Sequence, residues 1–126
     1  MSAGPRVLLV DDDDDVLDFL ETLLAIEGFA TARAAGAVAA FAKLTADPEI
    51  ALVLVDIAMP DIDGLELCRR LKAAPATRGL PVVVLSARPG QKAEAEALSA
   101  GADDFLRKPF DNDELLRLVR ERLRSA

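Results

Sequence analysis

Three runs of the chain are apolar almost without interruption: VLLV at Val7 to Val10, ALVLV at Ala51 to Val55 and PVVVL at Pro81 to Leu85. A strand with one wet face alternates apolar and polar residues, so continuous runs of this length suit a parallel sheet covered on both faces. Weaker strand candidates lie at Ala30 to Ala34 and Asp104 to Leu106. Helical patterns follow the strands, at about Asp15 to Glu27, Gly36 to Leu44, Gly64 to Ala73, Gln91 to Ala100 and Asn112 to Arg124. In the first of them Val16, Leu17, Leu20, Leu23 and Leu24 return at helical spacing. Gly28, Asp47-Pro48, Pro75, Pro89-Gly90 and Gly101 punctuate the boundaries. Strand then helix, repeated about five times, predicts a doubly wound α/β domain with right-handed crossovers.

Bulk properties narrow the function. A chain of 126 residues, 52% of them hydrophobic, makes one domain with a proper core, and it shows no internal repeat, linker or low-complexity segment. Its net charge of -7 lacks the basic footprint of a nucleic-acid binder, so no direct nucleic-acid contact is expected. No apolar window of about 18 residues could span a membrane, and Met1 to Pro5 is too short and polar for a signal peptide. The expected address is the cytoplasm. Cys68, the single cysteine, sits among Leu65, Leu67 and Leu71 and reads as a packed helix thiol. There is no histidine, which removes the commonest general base and transition-metal ligand.

In open α/β sheets the ligand site lies outside the carboxyl ends of the strands. The residues found there are Asp11 and Asp12 after the first strand, Asp56 after the third, Ser86 after the fourth and Lys108 after the fifth. Three converging carboxylates repel one another. A hard divalent cation relieves that repulsion, and magnesium suits it, taking one or two carboxylates, several waters and then a phosphate oxygen. The EF-hand calcium spacing is absent. A carboxylate beside such a metal can attack an activated phosphoryl group. Asp56 is the expected nucleophile because it ends the most buried run; Asp11 and Asp12 would hold the ion, Lys108 would pair with phosphoryl oxygens and Ser86 would donate to another.

With those residues in place, the chain resembles the receiver domain of two-component response regulators, the chemotaxis-regulator-like fold, over nearly its whole length. The resemblance rests on VLLVDDD at Val7 to Asp13, LVDIAMPDIDGLEL at Leu54 to Leu67, PVVVLSAR at Pro81 to Arg88 and GADDFLRKPF at Gly101 to Phe110. It implies a five-stranded parallel sheet in the flavodoxin-like order 2-1-3-4-5; the sequence reads as a single receiver domain with a core of about residues 6 to 124 and no output domain, either a single-domain regulator or a receiver excised from something longer. It further implies a magnesium-dependent switch in which Asp56 accepts a phosphoryl group from a sensor histidine kinase or phosphotransfer protein, followed by slow autodephosphorylation rather than turnover. Since the chain has no histidine, the phosphohistidine must lie on that partner.

By the same resemblance Asp11, Asp12, Asp56 and the Ala58 carbonyl are the metal ligands, Asp13 is a supporting carboxylate, and Ser86 and Phe105 are the switch pair. On phosphorylation Ser86 moves toward the phosphoryl group and Phe105 swings inward. The family often has Tyr there; Phe keeps the packing change and lacks the hydroxyl. Ala58 and Arg88 occupy positions that tune phosphoryl lifetime, and the small Ala58 leaves an attacking water room. The Lys108-Pro109 bond is expected to be cis. Asp14 and Asp15 are expected at a helix N-terminus, with Asp15 and Asp18 as caps.

Output is expected through the face of the fourth helix, fifth strand and fifth helix, to a downstream protein. Regulators of the winged-helix class dimerise there by pairing charges. This chain keeps Asp103, Asp104 and Glu114 but has Glu94 and Leu118 where that class places arginines, so a monomer or a weak phosphorylation-dependent dimer is expected. Two rivals remain. A phosphatase with an aspartate nucleophile needs a second Asp two residues on, where Ala58 stands. A phosphorylation-independent interaction module would share the fold without the chemistry.

Overall fold

The computed structural model describes residues 5–56, 64–86 and 92–125, with side chains through Leu123. Five strands alternate with five helices: β1 (Arg6–Val10), α1 (Asp14–Ile26), β2 (Ala30–Ala34), α2 (Ala37–Ala46), β3 (Ile50–Asp56), α3 (Gly64–Ala73), β4 (Val82–Ser86), α4 (Lys92–Ser99), β5 (Asp104–Arg107) and α5 (Asn112–Ser125). The strands form one parallel sheet in the order β2-β1-β3-β4-β5, the order expected.

The unbroken apolar strands are explained by what covers each face. Leu8, Val10, Val53, Val55, Val82 and Val84 enter a core with α2, α3 and α4, where they meet residues such as Ala40, Leu67, Leu71 and Ala97. Their strand neighbours Val7, Leu9, Leu52, Leu54, Val83 and Leu85 enter a second core with α1 and α5, against Leu17, Leu20, Leu24, Leu115 and Val119. Alternate side chains leave opposite faces of a strand, so two dry faces demand an apolar residue at every position. Cys68 is buried in the first core, as expected, and burial pushes its thiol above the ordinary range.

Strands β3 and β4 each run one residue further than the apolar pattern suggested, taking in Asp56 and Ser86 as their last residues. Register brings these ends level: Val10 pairs with both Ala34 and Val55, Asp56 with Leu85, and Ser86 with Arg107. One rim therefore receives the residues that leave β1, β3, β4 and β5.

At the opposite end, α4 closes on Gly101 at φ 101°, with Ala102 N–H donating to the Ala97 carbonyl at 3.0 Å and Gly101 N–H to Leu98 at 3.0 Å. This is the left-handed helix stop that favours glycine. A Cβ there would also lie 2.8 Å from Lys72 Cγ. Lys72 Nζ itself reaches Asp103 Oδ2 at 2.7 Å and the Leu80 carbonyl at 2.8 Å, tying α3 to the turns before β4 and β5.

Candidate functional site

Asp11 leaves the end of β1 held on both sides. Its N–H donates to the Ala34 carbonyl at 3.1 Å, and its Oδ1 accepts from Asp13 N–H at 2.9 Å. It is 3% exposed, buried unlike the other four aspartates of the run. Burial pushes its carboxyl up to about 7; the Asp13 N–H opposes that, the neighbouring Asp56 adds to it by hydrogen bond and charge, and Lys108 opposes it again.

Asp56 receives the Lys108 ammonium directly, Nζ to Oδ2 at 2.7 Å, with both side chains partly buried. Lys108 is brought there by backbone: its N–H donates to the Ser86 carbonyl at 2.7 Å, and the following Lys108-Pro109 peptide is cis, as expected. Ser86 is completely buried where β4 ends. Asp11, Asp56 and Lys108 thus converge, with Ser86 tied to Lys108 through its backbone. Phe105 lies half-buried on β5, packed at the edge of the α2–α4 core.

Two readings of the aspartate run change. Asp13 is the N-cap of α1, its carboxylate accepting from Asp15 N–H at 2.9 Å, so its side chain serves the helix. Asp14 and Asp15 fill the first turn as expected, but neither Asp15 nor Asp18 is the cap: Asp15 gives its N–H to Asp13, and Asp18 lies further along the helix and pairs with Arg33 at 2.9 Å. Asp12 stays exposed beside the rim. Ala58 and Arg88 lie outside the described residues.

Among the described residues no group of three or more Asp, Glu, Cys or His side chains is gathered closely enough to hold a metal ion. Magnesium asks less, one or two carboxylates with waters completing its shell. The donor chemistry fits that requirement: the Asp11 and Asp56 carboxylates are neighbours, and after burial itself the nearness of Asp56 helps hold the Asp11 carboxyl above its ordinary range. Sequence reasoning missed a groove of about 360 Å³ beside Lys108, between the start of α1 and the β5–α5 turn, lined by Val16, Phe19, Leu20, Pro109 and Phe110 among others. Phe19 is 50% exposed there. Its place three residues after Val16, on the solvent side of the helical pattern, was the available signal.

Comparison with known proteins agrees with this geometry. The family model described as response regulator receiver domain matches residues 7–120. The transcriptional regulatory protein GltR of Pseudomonas aeruginosa is 37% identical over 127 residues, covering 100% of this chain and 52% of GltR. Response regulator MprA of Mycobacterium avium is 42% identical over 121 residues, covering 96% of this chain and 52% of MprA. The chain therefore spans about half the length of these curated relatives. Among solved structures, a response regulator receiver protein from Pseudomonas putida superposes with a TM-score of 0.87 at 31% identity, covering 96% of this chain and 99% of that one. A CheY-like receiver domain protein from Methanospirillum hungatei gives 0.85 at 30% identity, covering 97% and 95%. No helix among the described residues is long and apolar enough to cross a membrane. With its parallel sheet in the order β2-β1-β3-β4-β5, close superposition on solved receiver domains and a family match over residues 7–120, the chain belongs to the response regulator receiver domain family.

Proposed function

We propose that the protein is a phosphorylation-activated signalling switch in which Asp56 takes a phosphoryl group from a phosphohistidine on a partner kinase or phosphotransfer protein. The observation that carries this reading is the pairing of Lys108 Nζ with Asp56 Oδ2 at 2.7 Å, beside an Asp11 so buried that its carboxyl is pushed up to about 7. A carboxylate pair and one ammonium in a partly dry pocket form a receptor for a divalent cation and a phosphoryl group together.

Asp11, Asp12 and Asp56, with the Ala58 carbonyl, would hold magnesium. Bound there, the ion would neutralise the carboxylates and the incoming phosphoryl oxygens. The Asp56 oxygen forms the bond to phosphorus as the bond from phosphorus to the donor's imidazole nitrogen breaks; the imidazole ring takes one proton from solvent, giving an aspartyl phosphate and a neutral histidine. Lys108, already within ion-pair distance of Asp56, follows the charge onto a phosphoryl oxygen. Ser86 donates its hydroxyl to another oxygen, and Phe105 moves into the space this leaves. The apolar groove beside Lys108, with Phe19 half exposed, supports docking of the phosphodonor next to the reacting carboxylate. Output then passes through the α4, β5 and α5 face to a protein target.

A magnesium titration with a small phosphodonor, read by intact mass and by mapping of the modified residue, tests this reading. One phosphoryl group at Asp56, added only with magnesium and lost in Asp56→Asn, is the expected result. Wild-type stoichiometry in Asp56→Asn would show that the site is misassigned. Magnesium binding with no adduct, and no response to beryllofluoride, would favour an interaction module that works without phosphorylation.

A further inference from the structure

Phe105 and Arg107 stand two residues apart on β5, so their side chains leave the same face of the strand. The Arg107 guanidinium lies over the Phe105 ring, 5.7 Å from its centroid and within cation-π range. The ring packs at the edge of the α2–α4 core and also borders a cleft of about 260 Å³ that Glu94, Arg107, Asp111 and Glu114 line as well. Three carboxylates around that cleft favour a cation in it over a neutral side chain of similar length. Strand β5 is an edge strand, so no further strand constrains this segment on its outer side. Arg107 is itself exposed, and the core does not depend on its burial.

Resting on the reading of Phe105 as the aromatic that relocates on phosphorylation, we propose that Arg107 is a positioning residue for it: the guanidinium holds the ring at the cleft and sets how readily it moves inward. Inward movement must break the cation-π contact, so the contact weights the equilibrium toward the unphosphorylated position. An exposed contact of this kind is equivalent to about a two- to five-fold bias. The chain thereby tunes its own sensitivity through a residue that shares a strand face with the switch aromatic.

The test uses the magnesium-loaded protein, titrated with beryllofluoride and followed by aromatic NMR. Five phenylalanines and no tyrosine or tryptophan keep that spectrum simple. In Arg107→Gln the Phe105 ring signals should shift before any beryllofluoride is added, and beryllofluoride should bind about two- to five-fold more tightly than to wild type. Arg107→Lys, which keeps the cation, should return both readouts toward wild type. If the wild-type ring responds to beryllofluoride but Arg107→Gln binds it with unchanged or weaker affinity, the positioning role is overturned and the Phe105 reading stands. Equal tightening in Gln and Lys also overturns it, because the cation would then not be the cause. A wild-type ring that ignores beryllofluoride overturns both.

Discussion

Asp11 is the residue where burial and charge meet most sharply. In the unfolded chain its carboxyl loses its proton near 3.8, whereas in the fold it keeps it up to about 7. Between those values the native state binds more protons than the unfolded state, so the stability of the metal-free protein falls as pH rises through the window and levels off above it. The slope from one such group is at most about 1.4 kcal/mol per pH unit. Urea unfolding in chelator should therefore show wild type losing stability between about pH 5 and pH 7, with the trend reduced in Asp11→Asn. Equal slopes in the two proteins would rule out Asp11 as the source. The aspartate itself was legible in sequence because it follows a buried strand. Its burial was not, since that depends on Ala34 and Asp13 supplying the two backbone contacts.

At the scale of the element, α1 shows how five adjacent aspartates divide their work. Asp11 faces the pocket, Asp12 stays exposed beside it, Asp13 caps the helix, and Asp14 and Asp15 meet the positive end of its dipole. Because the Asp13 carboxylate bonds to Asp15 N–H, Asp13→Ala should cost about 0.5–2 kcal/mol in stability and leave magnesium affinity unchanged. Loss of magnesium binding in that variant would return Asp13 to the metal site. Gly101→Ala strikes another element boundary, meeting both a left-handed backbone and the Lys72 stem. It should lower stability by about 1–3 kcal/mol, measurable as a shift in denaturant midpoint. Sequence showed the glycine as a breaker; only the fold shows that Lys72 fills the space where its side chain would be.

For the molecule as a whole, the acidic residues of the α4–β5 turn and β5 are already engaged. Asp103 accepts from Lys72 at 2.7 Å, and Asp104 from Arg122 Nε at 2.6 Å, a pairing that also pushes the Arg122 guanidinium upward. A charge-paired dimer across this face would have to break those bonds while bringing Glu94 and Glu114 near like charges. Sedimentation should find a monomer with and without beryllofluoride, and a tight activated dimer would refute this. The two cores carry the fold's stability, and Leu54→Ala, which empties a completely dry site between sheet and helix, should cost about 2–5 kcal/mol in urea unfolding.

Sequence by itself determined the alternation of strands and helices, the two-sided sheet and the candidates at the strand ends, because hydrophobic period and breaker position are local properties of the chain. Tertiary structure decided what no local property carries. It set which carboxylate of the run is buried, which one caps the helix, and that Arg107 lies over Phe105. Those outcomes depend on register between strands and on neighbours far apart in sequence: Lys108 reaches Asp56 across 52 residues. A side chain's charge and mobility follow from what surrounds it, and that surrounding exists only once the helices have closed over both faces of the sheet.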